Sequence, residues 1–134
     1  MADAQPKAQS TMTKILLVED DAFILDIYET KLRDSGYNVT VAANGKEAIE
    51  KLEEEMPSLI LLDIVMPYMD GFDVLEAMNA NETWKKIPVI LLTNLSQKED
   101  IDRGMSLGAD DYLIKSHFTP SEVIGKIEAL LAKA

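Results

Sequence analysis

Acidic, hydroxyl and basic side chains follow the apolar runs of this sequence. Glu19 and Asp20 come directly after KILLV, and Asp63 comes directly after SLILL. Thr93 follows PVILL, and Lys115 follows DYLI. Carboxylate oxygens are ligands that Mg²⁺ prefers, usually together with water and phosphate oxygens. Because a hydroxyl and an ammonium group can bind phosphoryl oxygens, the combination predicts a site for a divalent cation and a phosphoryl group.

The carboxylates suggest the chemistry of this site. Several carboxylates held close together are costly unless a cation or protons neutralise them. We expect Asp20 and Asp63 to be direct metal ligands and Glu19 to act through water. An aspartate such as Asp63 can also attack phosphorus and form an acyl phosphate. Lys115 and the Thr93 hydroxyl would then bind the phosphoryl oxygens.

Apolar runs that alternate with helical patterns must position these residues. Apolar runs of about five residues are typical of buried parallel strands, and residues just past the carboxyl ends of such strands line the crevice where open α/β sheets bind ligands. Strands are predicted at 14–18, 37–42, 58–62, 88–92 and 111–114, and helices at 22–35, 45–55, 71–80, 97–107 and from 119 to the C-terminus. Crossover helices between parallel strands are right-handed. The predicted fold class is therefore α/β, a flavodoxin-like (βα)₅ arrangement with a doubly wound, five-stranded parallel sheet.

The length of 134 residues predicts one compact domain. Residues 1–13 are expected to form a flexible tail, and residues 14–134 the domain. The last predicted helix reaches the end of the chain, so we expect a stand-alone domain without an attached effector.

The charge and the rare residue types exclude several functional classes. There are 13 basic and 24 acidic residues, a net charge of -11, which disfavours nucleic acid and acidic membranes and favours a cation or a basic protein surface. The absence of cysteine excludes disulfides and thiolate metal sites. The only histidine is His117, so a histidine cluster is also excluded. We expect His117 to be exposed. The sequence shows neither a membrane-spanning run nor a signal-peptide core, which predicts a cytoplasmic protein.

Four motifs carry a resemblance to a known family. VEDDAF, LLDIVMPYMDG, VILLTN and GADDYLIK resemble the motifs of the receiver domain of bacterial two-component response regulators, in the family's order and over residues 14 to 131. The resemblance implies that Asp63 accepts a phosphoryl group from a histidine kinase or phosphotransfer protein in an Mg²⁺-dependent reaction. Asp20 matches the Mg²⁺-binding aspartate, and Glu19 matches its acidic neighbour. The backbone carbonyl of Val65 would be a further metal ligand.

The same resemblance implies a conformational switch. Lys115 and Thr93 match the phosphoryl-contacting lysine and the switch hydroxyl, and Tyr112 matches the aromatic switch residue. Phosphorylation would turn Thr93 inward and let Tyr112 fill the vacated space. The surface of the fourth helix, fifth strand and fifth helix would then change its shape for a downstream protein target. A stand-alone regulator similar to those of chemotaxis, acting as a monomer or a phosphorylation-dependent dimer, is implied.

Two departures from the family's pattern concern the switch region. The family usually has proline after its lysine, joined by a cis peptide bond, whereas Ser116 follows Lys115 here. A cis bond before a non-proline residue costs roughly 2.5 to 4 kcal/mol. Either that cost is tolerated, or the bond is trans and Lys115 points elsewhere. Asn94 stands where the family often has a small residue, so crowding of Tyr112 is expected.

Two apolar residues bear on the lifetime of a phosphoryl group and on the alternative functions. In the family that the sequence resembles, the residues two past the aspartate and two past the threonine tune the lifetime of the phosphoryl group. Here these residues are Val65 and Leu95, and because neither can orient an attacking water, slow self-dephosphorylation is predicted. Mg²⁺-dependent phosphohydrolases usually have an acid/base carboxylate where Val65 stands. We therefore expect that the protein is not an enzyme and catalyses only its own phosphorylation and dephosphorylation. An adaptor that acts without phosphorylation stays open as an alternative. Such an adaptor would keep the fold, but it would be expected to lack the acidic pocket.

Overall fold

The computed structural model describes residues 13–133, so the predicted tail at 1–13 lies outside the described residues except for Thr13. One sheet of five parallel strands forms the centre of the molecule, in the order β2-β1-β3-β4-β5. The strands are β1 Lys14–Val18, β2 Asn38–Ala42, β3 Leu59–Leu62, β4 Val89–Thr93 and β5 Asp111–Ile114. The predicted fold class is confirmed, and β2 lies at one edge of the sheet.

A helix follows each strand. The five are α1 Ala22–Asp34, α2 Gly45–Glu54, α3 Gly71–Asn79, α4 Lys98–Ser106 and α5 Pro120–Lys133. Single 3₁₀ turns at Trp84–Lys86 and Lys115–His117 were not predicted from the sequence, because one turn is too short to produce a periodic pattern. Among the described residues, no helix combines the length and apolar character that a membrane span requires.

Side-chain caps fix where four of the five helices begin, including α5, where the Thr119 hydroxyl accepts a hydrogen bond from the Glu122 N–H and the Glu122 carboxylate accepts one from the Thr119 N–H. The Asp21 carboxylate accepts hydrogen bonds from the backbone N–H groups of Phe23 and Ile24 at the start of α1. Asn44 caps α2 in the same way, and Asp70 forms a reciprocal capping box at the start of α3. Such caps satisfy N–H groups that have no partner within the helix.

Apolar side chains fill both faces of the sheet. One face of β1 and β3 packs under α2 and α3, and the opposite face packs under α1 and α5. A sheet covered on both sides needs strands that are apolar throughout, which explains the uninterrupted runs in the sequence. The first layer includes Leu16, Ile60, Leu62, Leu52 and Phe72, and the second includes Ile15, Leu17, Leu61, Leu32 and Ile127.

The register of the sheet brings the residues after several strands to one rim. Val18 pairs with Leu62 across β1 and β3, and Thr93 pairs with Ile114 across β4 and β5. The residues that follow these strands therefore emerge side by side. This rim carries the candidate site.

Candidate functional site

Glu19 and Asp63 lie side by side at the carboxyl ends of β1 and β3. The backbone N–H of Glu19 donates to Ala42, and that of Asp63 donates to Val18, so sheet hydrogen bonds hold both residues. Glu19 is 4% exposed and Asp63 is 6% exposed. Their carboxylates therefore lie almost entirely below the surface, where an opposite charge is required.

Lys115 supplies that opposite charge. Its Nζ donates to Glu19 Oε1 at 2.7 Å and to Asp63 Oδ2 at 3.0 Å. The described residues contain no cis peptide bond, so the bond from Lys115 to Ser116 is trans. Of the two alternatives, the trans bond is correct, but the expectation that Lys115 would then point elsewhere is wrong. The 3₁₀ turn at Lys115–His117 leaves the lysine side chain directed at both carboxylates.

Burial and ion pairing have opposite effects on the pKa values of Glu19 and Lys115. Burial raises the pKa of Glu19, and the nearby Asp63 charge adds to the increase, while the hydrogen bonds from Lys115 and from the Asp21 N–H oppose it. Burial alone would lower the pKa of Lys115. The hydrogen bond to Glu19 and the charge of Asp63 outweigh that effect, so the pKa of Lys115 is raised and the ammonium form is favoured.

Three carboxylates form a group that fits a metal ion. Oxygen atoms of Glu19, Asp20 and Asp63 lie within 4.8 Å of one another. Two of these residues are buried, and Asp20 is exposed, so the group opens to solvent. Hard oxygen donors at this spacing fit the ligand preference of Mg²⁺, with water completing the coordination. The Val65 side chain is 58% exposed, and the role of its carbonyl stays a prediction.

Thr93 and Tyr112 are both connected to Leu95, in the loop between β4 and α4. Thr93 is fully buried, and its Oγ1 accepts a hydrogen bond from the Leu95 N–H at 3.3 Å. The Tyr112 hydroxyl donates to the Leu95 carbonyl at 2.8 Å. Asn94 is exposed, and its expected crowding of Tyr112 stays a prediction. One loop residue thus links the two predicted switch side chains.

The environment of Tyr112 keeps its phenol protonated. Burial raises the pKa of Tyr112 to about 12, with smaller contributions from the negative charges of Asp100 and Asp63. Gly104 of α4 lies against the ring, since a Cβ there would meet Tyr112 ring carbons at 3.1 and 3.2 Å. The phenol is therefore a hydrogen-bond donor at neutral pH, and α4 packs closely on it.

Two contacts of Asp63 are missing from the sequence-based prediction of the site. The Ile64 backbone N–H donates to Asp63 Oδ1 at 2.7 Å, a bond that only the folded backbone reveals. Gly71, which sequence reasoning treated as part of a helix start, approaches the Asp63 backbone so closely that a Cβ would lie 2.5 Å from its carbonyl oxygen. The only signal in the sequence is the pair Asp70-Gly71 before a helical pattern, and this pair does not reveal that Gly71 lies against the Asp63 backbone.

The sequence matches a known protein family. The sequence matches the response regulator receiver domain over residues 15–128. The chain belongs to this family, whose members act in two-component systems together with histidine kinases and downstream targets. The resemblance stated from the four motifs is thereby confirmed.

Individual relatives agree with this assignment. The chain is 40% identical over 123 residues to the probable transcriptional regulator ycf27 of Guillardia theta, covering 92% of this chain and 47% of that protein. It is 37% identical over 121 residues to the alkaline phosphatase synthesis transcriptional regulatory protein PhoP of Bacillus subtilis, covering 90% of this chain and 49% of PhoP. The chain therefore spans about half the length of these curated relatives.

A solved structure is similar over almost its whole length. The chemotaxis protein CheY4 of Vibrio cholerae superimposes with a TM-score of 0.81 at 31% sequence identity. The match covers 87% of this chain and 97% of that one.

Proposed function

We propose that this receiver domain accepts a phosphoryl group on Asp63 in an Mg²⁺-dependent reaction. The observation that carries the proposal is the position of Lys115 Nζ, 2.7 Å from Glu19 and 3.0 Å from Asp63, beside a group of three carboxylates. A carboxylate nucleophile, a fixed ammonium and a set of hard oxygen ligands are the components that phosphoryl transfer to an aspartate requires.

The side chains of the site have separate roles in this proposal. Glu19, Asp20 and Asp63 would hold Mg²⁺, which neutralises charge on the incoming phosphoryl group. A carboxylate oxygen of Asp63 attacks phosphorus, and the bond from phosphorus to the donor's leaving atom breaks, with its electron pair going to that atom. Lys115 stabilises the added negative charge, and the Thr93 hydroxyl donates to a phosphoryl oxygen.

The family and the charge of the chain support a proposal for the donor and the target. A phosphohistidine of a histidine kinase or phosphotransfer protein is the proposed donor. The output is a changed surface of α4, β5 and α5 that binds a protein target, supported by the link of Thr93 and Tyr112 through Leu95. The net charge of -11 favours a protein over nucleic acid or a membrane.

A stand-alone organisation in the cytoplasm, as a monomer or a phosphorylation-dependent dimer, is part of the same proposal. The almost complete match to CheY4 supports it, whereas the curated regulators are about twice as long as this chain. The apparent mass of the native protein in cell extracts tests the organisation, because a single domain of this sequence has a mass of 14.9 kDa.

The site favours a phosphoacceptor over the two alternatives. Val65 offers no carboxylate to activate water for a phosphohydrolase. The Val65 side chain is exposed, so water can reach this position. General base catalysis nevertheless needs a proton acceptor, and a valine side chain cannot accept a proton. A phosphorylation-independent adaptor has no use for two buried carboxylates paired with one lysine, because maintaining that pairing is costly.

The test is the intact mass of the protein after incubation with Mg²⁺ and acetyl phosphate. One added phosphoryl group is expected on the wild type, and none after Asp63→Asn or with a chelator present. Asp70→Asn is a matched control, because it changes the same chemical group in the same loop and asparagine keeps the helix cap. Labelling of Asp63→Asn equal to the wild type contradicts the proposal.

A further inference from the structure

Gly45, the first residue of α2, touches the loop that carries the predicted phosphoacceptor. Its backbone N–H donates a hydrogen bond to the Met69 carbonyl at 3.0 Å. Met69 belongs to the loop between β3 and α3, which begins at Asp63. The N–H groups in the first turn of a helix have no acceptor within that helix, so this bond satisfies a donor that α2 cannot satisfy itself.

The contact is possible only because Gly45 has no side chain. A Cβ at this position would lie 2.3 Å from the Met69 carbonyl oxygen and 2.8 Å from Met69 Cγ. The nearer atom belongs to the backbone, so a change of the Met69 side-chain rotamer cannot relieve the clash. Either the loop or the start of α2 would have to move.

Backbone conformation does not explain this glycine. Gly45 has no positive φ, and Asn44 already caps the helix, so alanine would suit the local geometry. Gly125 in α5 is a useful contrast, because it is also helical but a Cβ there would meet nothing within 4 Å. The close approach to Met69 is the property that distinguishes Gly45.

The loop is held at two further points near Asp63. The Gly71 N–H donates to the Ile64 carbonyl at 2.8 Å, which closes the loop at its base. The Met66 side chain is buried in the core beneath it. The bond from Gly45 holds the distal part of the loop, beyond the exposed residues Val65 and Tyr68. Without that bond, the stretch after Met66 loses its backbone attachment to α2.

We propose that Gly45 is a positioning residue, which holds the loop after Asp63 in the conformation that binds the metal ion. The proposal rests on the function proposed above, since it assumes an Mg²⁺ site at Glu19, Asp20 and Asp63 to which this loop adds the backbone carbonyl of Val65. Its physical basis is that groups supporting a metal site from outside the ligand set commonly change metal affinity about 10- to 100-fold when altered.

Gly45→Ala in the full chain tests this role, with Mg²⁺ affinity measured by calorimetry. We expect binding about tenfold weaker than in the wild type, and acetyl phosphate labelling slowed correspondingly at limiting Mg²⁺. Gly125→Ala makes the same substitution at an open helical position and should leave both measurements unchanged. Leu52→Ala, about two turns further along α2, should lower the melting temperature without changing Mg²⁺ affinity.

The wild type provides a second test that does not depend on a variant folding. Because the Gly45 N–H has no helical acceptor, its hydrogen exchange reports on the bond to Met69. If loop position and Mg²⁺ binding are coupled, Mg²⁺ must also strengthen that bond. Slower exchange of the Gly45 amide with saturating Mg²⁺ is expected, with little change at Gly125.

The outcomes separate this inference from the proposed function. Wild-type Mg²⁺ binding, with unchanged affinity in Gly45→Ala and unchanged exchange at Gly45, overturns the positioning role alone. Equal loss of affinity in Gly45→Ala and Leu52→Ala also overturns it, because general destabilisation would then account for the effect. No Mg²⁺ binding by the wild type overturns the proposed function and, with it, this inference.

Discussion

Lys115 and Asp63 form a hydrogen-bonded ion pair at 3.0 Å, although their positions in the chain differ by 52. The lysine reaches the aspartate through a trans peptide bond to Ser116 and a single 3₁₀ turn. The side chain of Lys115 is 13% exposed, and that of Asp63 is 7% exposed. The ammonium thus lies beside the predicted nucleophile without help from a proline.

Lys115→Met should destabilise the fold when a chelator is present. It leaves two buried carboxylates without their cation, and breaking a buried pair costs about 3 kcal/mol. The loss should shrink as the pH falls, because burial raises the pKa of Glu19 and protonation of Glu19 removes one of the unpaired negative charges. Urea unfolding at pH 7 and pH 5 measures both effects.

Lys98→Met is the control for that substitution. Lys98 pairs with Asp102 on the exposed surface of α4, and such solvent-exposed pairs contribute little to stability. Equal stability of Lys115→Met and the wild type at pH 7 would contradict the structural role assigned to the ion pair.

Mg²⁺ should raise the melting temperature of the wild type. A ligand that binds only the folded state stabilises it by about 2.7 kcal/mol at one hundred times its dissociation constant. Asp20→Asn should abolish most of this increase while changing the stability with chelator little, because Asp20 is exposed. Asp21→Asn, one residue along, keeps the α1 cap and should respond to Mg²⁺ like the wild type. A full Mg²⁺ response in Asp20→Asn would exclude Asp20 as a ligand.

Tyr112 should lose its proton at a higher pH than an ordinary tyrosine. Because burial raises its pKa to about 12, the folded state favours the neutral phenol. The corresponding contribution to stability is complete below pH ~10, the ordinary pKa of tyrosine, and is lost as the pH rises towards 12. Tyr112→Phe should remove the phase near pH 12 from the tyrosinate absorbance titration.

The same variant tests the link to Leu95. Tyr112→Phe keeps the ring but loses the hydroxyl that donates to the Leu95 carbonyl, at a cost of about 1 kcal/mol. Survival of the phase near pH 12 in Tyr112→Phe would show that it belongs to another tyrosine.

Phosphorylated wild-type protein should lose its phosphoryl group slowly. Val65 and Leu95 present no group that orients water, so the phospho-form should last well beyond seconds without a phosphatase. Val65→Glu should shorten the lifetime about tenfold or more, because a positioned carboxylate can act as a general base. Intact mass followed over time measures the decay.

Tyr68→Glu is the matched control for that change. Tyr68 lies in the same loop and is 90% exposed, so the variant adds the same charge without placing it two residues past Asp63. If both variants lose the phosphoryl group equally fast, the added negative charge alone, and not its position two residues past Asp63, would explain the faster decay. Decay of the wild-type phospho-form within seconds would contradict the prediction.

The sequence was sufficient to predict the fold and the meeting of Glu19, Asp63 and Lys115 at one rim of the sheet. Apolar runs mark buried strands strongly, and the predicted bounds of Lys14–Val18 and Asp111–Ile114 agree with the structure. Parallel strands end at a common rim, so Glu19, Asp63 and Lys115 could be expected to meet there. These inferences use only local patterns and the geometry of a parallel sheet.

Tertiary structure alone determined the contacts between residues that are distant in the sequence. Nothing local shows that Lys115 bridges Glu19 and Asp63 through a trans bond, or that Tyr112 donates to Leu95. The other clear case concerns glycine. Gly45 and Gly125 both lie in helices and look equivalent in the sequence, yet only Gly45 has a neighbouring backbone within reach of a Cβ. Whether a missing side chain matters depends on what packs against it, and packing is decided when the whole chain has folded.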